Sequence, residues 1–312
     1  MAAARGMLDK IHADLPIDPH DSNAYTVGSI GLHKIVIACL GEYGTNNAAH
    51  VAANMNRSFP LIKVRLMVGI GGGAPSDEFD IRLGDIVVGR RIMQYDLGKI
   101  TRNGEFERTI VLSNLRPELS STISKLRAIH ESTPTSVPSL VQDMVQRNTG
   151  MARYSYPQDS TDMLFSAEYN HNSKSTSCDQ CDKSQLMKRC ERLSTTPEIH
   201  YGAIASGNQV VKHGVSRDRM AQELKIICFE MEAAGLMDHF PCLVIRGICD
   251  YCDSHKNKIW QKYAAANAAA YAKEILSMMA MTAPRPAAIQ HIDASKVLIK
   301  RELPFETLNN WC

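Results

Sequence analysis

The stretch from Ile226 to Asn257, IICFEMEAAGLMDHFPCLVIRGICDYCDSHKN, constrains this chain more than any other. Ile226 to Phe229 is a short apolar run, and Glu230 and Glu232 stand where it ends. Ala233 to His239 has helix-forming composition. After Pro241, Cys242 to Ile248 is a second apolar run, too short and too β-branched for a helix. Asp250 and Asp253 follow it directly. Two strands of one sheet would therefore deliver carboxylates near their carboxyl ends, where open α/β sheets place ligands. Acids in that position can grip paired hydroxyls or pass a proton to a leaving group.

The remainder of the chain supplies more strand and helix signals in alternation. Met1 to Ala13 reads as an amphipathic helix, and Ala24 to Ile30 with His33 to Leu40 as a hairpin around Gly31. Asn46 or Asn47 can cap a helix running through Met55. Leu61 to Ile70 is a strand that runs into Gly71-Gly72-Gly73, and Ile86 to Val88 is another. Tyr95 to Arg108 reads as a ribbon turning at Asn103-Gly104. Pro117 to His130, Leu140 to Arg147, Arg217 to Leu224 and Trp260 to Met279 are helical by pattern, the last alanine-rich and free of glycine and proline. Residues 154–198 are polar and irregular and read as a long surface insertion. The expected organisation is one domain over 1–280 with a tail or linker over 281–312. The class is α/β with a largely parallel or mixed sheet, covered on both faces.

Composition narrows the partners. With 312 residues, 44% of them hydrophobic, a sizeable core is available, and a net charge of +2 without a dense basic cluster argues against nucleic acid. No apolar run reaches membrane-spanning length and the first residues hold no apolar signal core, so no membrane partner is expected. Nine scattered cysteines, an odd count, read as reduced thiols of a cytoplasmic (or nuclear) protein. Cys178 and Cys181 form one CxxC, with no second pair nearby to complete a zinc site, and no metal is assigned.

MVGIGGGAP superficially matches a dinucleotide fingerprint, yet Pro75, Ser76 and Asp77 stand where the phosphate-binding helix would have to start. What remains is a backbone-lined pocket at a strand end, or glycines serving only a tight turn. The pocket is the favoured expectation, because three consecutive glycines cost more entropy than a turn requires.

MVGIGGGAP, DIRLGDIVVG, HYGAIASGNQV, CFEMEAAGLM and VIRGICDYCDSHKNKIWQKYAAANAAAYAKE, in that order, resemble the purine and uridine phosphorylase superfamily. The resemblance spans Met1 to Met279. It is strongest to the nucleoside phosphorylase-like domain that fungi fuse to ankyrin, TPR or NACHT/NB-ARC modules. It implies a three-layer α/β/α sandwich around a mixed, partly barrel-like sheet. It also implies cleavage of a nucleoside's N-glycosidic bond by phosphate or water, a small-molecule purine nucleoside or nucleotide as partner, no cofactor, no metal and a homo-oligomer. Phosphate would be a co-substrate only in a phosphorylase.

Residue by residue, the resemblance makes Asp250 the acid that protonates the departing purine and Glu232 the acceptor of the ribose hydroxyls, with Met231 under the sugar. Glu230 is the competing acid, and strand alternation does not choose between the two. Gly71 and Gly72 would offer backbone to the substrate. Asn208, Val210 and Val211 belong to the loop that reads the purine edge, where bacterial nucleosidases carry an aromatic in place of Val210. The positions that hold a hydroxyl and an arginine against phosphate in phosphorylases read Ile70 and Met67 here, which favours water as acceptor. Related domains begin with a strand ending in an ICALPxE-like segment just before the equivalent of MAAARGML. That strand would carry the glutamate that orients the water, and its absence would leave an unpaired strand edge. A non-catalytic nucleoside-binding module of a signalling protein is the alternative reading.

Overall fold

The computed structural model describes residues 1–108, the backbone of 112–114, and residues 117–158, 162–172, 177–237 and 240–279. The expected tail, 281–312, lies outside the described residues. In chain order the elements are α1 (Ala2–Gly6), β1 (Lys10–Ile11), β2 (Tyr25–Ile30), β3 (His33–Ala38), α2 (Thr45–Ser58), β4 (Leu66–Gly73) and β5 (Ile86–Gln94). Then come β6 (Gly98–Ile100), β7 (Phe106–Arg108), β8 (Leu112–Asn114), α3 (Pro117–His130) and α4 (Val137–Arg147). The chain continues with β9 (Ile199–Ser206), α5 (Gly214–Leu224), β10 (Ile226–Glu230), β11 (Leu243–Asp250) and α6 (Gln261–Met278).

The main sheet has the order β11-β4-β10-β9-β5-β8, and a further pairing of β11 with β5 closes five of these strands into a barrel. β4 and β11 run parallel, as do β5, β9 and β10, and the two groups meet antiparallel at both seams. The sheet is therefore mixed and partly barrel-like, as expected. The β5–β9 pairing is long, reaching from Ile86↔Ile199 to Gln94↔Ser206. The β4–β10 seam is short, with only Cys228↔Gly73 and Phe229↔Gly72 in register. Separate from the barrel, β1, β2 and β3 form a small antiparallel sheet, and β6 pairs with β7.

Helices cover the barrel in two layers. The alanine-rich face of α6 lies on β11, where Gly247 is required: a Cβ there would stand 1.9 Å from the carbonyl oxygen of Ala264. α1, α3 and α4 complete this layer around Ile86, Leu243, Ile245, Tyr271 and Ile275, all fully buried. On the other side α2 packs Ala48 and Ala52 against Ile204, Val244 and Ile248. Burying a side chain of Ile or Leu size contributes about 1.5–3 kcal/mol, so these two clusters hold most of the fold together.

Four local expectations are corrected. The first helix stops at Gly6 rather than Ala13, because Asp9 is drawn into the β2–β3 turn. Its amide donates to the Ser29 carbonyl at 2.9 Å, its carboxylate accepts from the Gly31 amide at 2.7 Å, and Lys273 pairs with it at 2.5 Å. Lys10 and Ile11 then pair with Ser29 and Gly28 as β1. Neither Asn46 nor Asn47 caps α2; Gly44 is the N-cap residue, without a side-chain cap of its own. The glycines after Ile70 do not turn; they continue β4. Where a helix over Ala233–His239 was expected, there is a single 3₁₀ turn, Ala233–Gly235, with Asp238 and His239 outside the described residues. Gly235 there lies so close to α2 that a Cβ would meet the Thr45 carbonyl oxygen at 1.9 Å.

The described residues of 154–198 form no helix beyond short 3₁₀ turns, and they are anchored. Phe165, Cys178 and Cys181 are buried together. Arg192 donates to both oxygens of Asp85 at 2.7 and 2.8 Å, fixing the far end of the segment to the start of β5.

Candidate active site

The carboxyl ends of β4, β10 and β11 converge. Gly72 of β4 pairs with Asp250 of β11 on one side and with Phe229 of β10 on the other. The glycines are what let the three strand ends carry functional side chains at such close quarters. A Cβ on Gly69 would stand 2.1 Å from Arg246 Nη1, and one on Gly72 would stand 2.1 Å from Cys252 Sγ and 2.8 Å from Asp250 Oδ1. A Cβ on Gly71 would meet Cys228 Sγ at 2.8 Å. Gly71 and Gly72 thus lie buried inside a strand. They are neither a pocket loop nor a tight turn, and their role is to leave space for neighbours.

Of the two candidate glutamates, Glu230 is enclosed. Its side chain is 0% exposed, and its oxygens accept the amides of Glu232 and Ala233 at 3.1 Å and an ion pair from Arg246. Glu232 gives Oε2 to Arg246 Nη2 at 3.0 Å and keeps 16% of its side chain exposed. Glu230 holds the turn, whereas Glu232 keeps part of its side chain accessible. Burial, with Glu230 as a second negative neighbour, pushes the Glu232 carboxyl above the usual range although Arg246 opposes it. Met231 lies between the two, partly buried.

Asp250 ends β11 with its side chain 2% exposed. Oδ1 accepts the Cys252 amide at 3.0 Å, where Cys252 takes a left-handed φ of 53°. Oδ2 pairs with Lys256 at 2.9 Å. Burial pulls the Lys256 ammonium down, but the Asp250 charge outweighs it and holds the pKa above its usual value.

The loop after β9 is pinned rather than free. The Asn208 amide donates to Asp96 at 2.7 Å, and Asn208 Oδ1 accepts both the amide and the hydroxyl of Thr45, at 3.0 and 3.1 Å. Asn208 therefore supplies the cap that α2 lacks. Val210 is 44% exposed, and Val211 packs partly against the cluster that holds Phe229 and Met220. Ser206 Oγ accepts the Ala234 amide at 2.8 Å and ties this strand end to the turn after Glu232.

A cleft of about 1660 Å³ opens between the β2–β3 hairpin, α2 and β4, and Glu232, Arg246, Met67 and Ile70 lie on its wall. It runs beside the edge of β4 from Leu66 to Ile70, which has no strand partner among the described residues other than β11. Asp250 instead faces a small cavity with Asp253, His255 and Cys178. The structure therefore unites Glu230, Glu232 and Arg246 tightly. It sets Asp250 across Gly72 from β10, but with the two acids on different cavities. Arg246 and Lys256 are the site residues that sequence reasoning missed. For Arg246 a signal existed, since a lone charge inside the buried run LVIRGIC demands a partner.

Residues 3–277 match the family model of the phosphorylase superfamily. The chain belongs to that superfamily. It is 43% identical over 298 residues to a nucleotide-binding leucine-rich repeat (NLR)-like protein of Hyaloscypha variabilis, a match that takes in 93% of this chain and 29% of the relative. The chain thus spans under a third of that relative's length. It is 22% identical over 257 residues to a 5'-methylthioadenosine/S-adenosylhomocysteine nucleosidase of Mycobacterium bovis, covering 81% of this chain and 83% of that one. Among solved structures, futalosine hydrolase of Helicobacter pylori aligns with a TM-score of 0.56 at 16% identity, covering 88% of this chain and 91% of that one. The Neisseria meningitidis 5'-methylthioadenosine/S-adenosylhomocysteine nucleosidase, in complex with methylthio-immucillin-A, gives 0.56 at 17% identity, with coverage of 88% and 95%. These structures share the fold of this superfamily member.

Proposed function

We propose that this superfamily member cleaves the N-glycosidic bond of a purine nucleoside or nucleotide, with water as the acceptor. The observation that carries the reading is the placement of Asp250 and the Glu230–Glu232 corner on strands that flank Gly72. Two strand spacings separate β10 from β11, about 10 Å, so a nucleoside held by both acids has to reach from the cleft at Glu232 to the small cavity at Asp250. Glu232 accepts the ribose hydroxyls, with Arg246 holding its carboxylate and Glu230 its backbone amide. Asp250 donates a proton to N7 as the C1′–N9 bond breaks and its electron pair passes to the base. Water adds to C1′ and releases its proton to solvent. Met67 and Ile70, on the cleft wall beside the sugar end, bring neither a hydroxyl nor a cation for a phosphate dianion, which favours water. A homo-oligomer belongs to the same proposal and is read by light scattering.

Incubation with adenosine, inosine, AMP, ATP and methylthioadenosine, with and without phosphate, tests the reaction by chromatography of the products. Free base released independently of phosphate is expected; ribose 1-phosphate would make the protein a phosphorylase. Asp250→Asn keeps the shape and loses the acid, so turnover should fall by about 100- to 10,000-fold with binding retained. One observation favours a second reading, a non-catalytic nucleoside-binding module: both candidate acids already have internal cations, Arg246 and Lys256. Saturable nucleoside binding without any product would select it.

A further inference from the structure

His171, Cys178 and Cys181 come together with their ligand atoms all within 4.8 Å of one another and both cysteines buried. The CDQC turn is closed by the Cys181 amide on the Cys178 carbonyl at 3.1 Å, which holds both cysteines on one tight loop. His171 Nε2 lies 3.0 Å from the Ser177 carbonyl, which can only accept, so Nε2 carries the proton and Nδ1 keeps its lone pair. A backbone carbonyl that fixes the tautomer in this way is the usual support of a metal-bound imidazole.

A second, independent observation comes from the loop after β11. The His255 side chain is 4% exposed, and neither ring nitrogen makes a hydrogen bond, the nearest ionic neighbour of Nδ1 being Asp253 Oδ2 at 3.8 Å. Buried polar atoms without partners are rare, and a position vacant of protein donors calls for a ligand. The His255 ring stacks on Phe165 at 4.1 Å and stands edge-on to His171 with centroids 5.4 Å apart. Two imidazoles on one tetrahedral ion, with metal–nitrogen bonds of about 2.0–2.1 Å, place their centroids about 5 Å apart.

We propose that His171, Cys178 and Cys181 bind a structural zinc ion, with His255 as the fourth ligand. Two sulfurs and two imidazoles in a buried tetrahedron are a zinc donor set. Zinc–sulfur bonds of about 2.3 Å bring the ligand atoms to roughly 3.8 Å from one another, so the cluster closes by about 1 Å on binding. Each thiol gives its proton to solvent as its sulfur binds. The ion joins the segment 162–190 to the loop that also carries Lys256, across a junction where the His171 amide already donates to Ser254 Oγ at 2.8 Å. Through Cys178 and His255 the site borders the small cavity that Asp250 faces, and it is read without an activity assay.

The full chain, purified under reducing conditions from zinc-supplemented medium, is expected to carry about one zinc per chain by elemental analysis, as one four-ligand site requires. Cobalt exchanged into the wild-type protein should give the intense visible bands of a tetrahedral ion and the near-ultraviolet charge-transfer band of thiolate ligation. That arm needs no variant to fold. Cys178→Ser with Cys181→Ser should lose the metal, and His255→Ala should lower zinc affinity at least about 10-fold in chelator competition. Wild-type protein without stoichiometric zinc and without the cobalt bands overturns the proposal, as does a Cys178–Cys181 disulfide found by thiol counting of protein purified under those conditions. Full affinity in His255→Ala would overturn the assignment of the fourth ligand.

Discussion

Arg246 is the side chain on which the acidic corner depends. It is buried with two carboxylates on one guanidinium, so removing it leaves Glu230 enclosed and uncompensated. Arg246→Met should cost about 3–5 kcal/mol in urea unfolding, whereas changing Arg246, Glu230 and Glu232 together to neutral residues should recover most of that loss. Gly69→Ala should resemble Arg246→Met, since its methyl would occupy the guanidinium's place. Under the proposed hydrolysis Glu232 is expected to set the acid limb of turnover, because burial and the charge of Glu230 hold its carboxyl above the usual range. Glu230→Gln removes that neighbour and should move the limb to lower pH in a profile of kcat/KM. Lys256 pairs with Oδ2 of Asp250, the acid of the proposed reaction, so under that proposal Lys256→Met should lower KM for a nucleoside, measured beside wild type under identical salt.

Asp85 does for the long irregular segment what Arg246 does for the corner. It accepts from Arg192, from His200 Nε2 at 3.0 Å and from the Glu198 amide at 3.0 Å. Burial, the largest influence, raises its carboxyl, but His200 and Arg192 outweigh burial and hold it below the usual value. A depressed carboxyl stabilises the fold at pH above its unfolded value of about 3.9, and that stability is lost as pH falls through the folded value. Arg192→Ala leaves less to lose, so its acid-unfolding midpoint, followed by circular dichroism, should shift to higher pH. None of this was legible in 154–198, where polarity and cysteines gave no periodicity. Local signals served elsewhere: Gly31 at φ 53° and Asn103-Gly104 marked their hairpins, and the alanines of α6 their helix. α1 failed because Asp9 found partners in β2–β3 and α6 that no window of sequence contains. The glycines of β4 misled because their purpose lies on two other strands, and the pairing of Glu230 with Arg246 exists only once the barrel has closed. Glu232 and Asp250 could be named as candidates from the resemblance and placed at strand ends by pattern; their separate cavities could not.

The edge of β4 that has no second strand partner among the described residues, with the hairpin beside it, gives the cleft a mostly apolar wall. The native protein should therefore enhance the fluorescence of anilinonaphthalene sulfonate without denaturant. Ile37→Lys on that wall should reduce the enhancement at unchanged circular dichroism. The barrel itself is closed unevenly, through a long β5–β9 pairing and a β4–β10 seam of two paired positions. A ring so fastened opens at its clasp. Amide exchange at Gly73 and Cys228 should outpace that at Val88 and Ile204 by orders of magnitude, since local opening takes the least stable junction first. The clasp lies between Asp250 and Glu230, so each opening alters the distance between the two acids. A ligand held by both would act as a bolt across it, and slowed exchange at those two amides would report its binding before any product is sought.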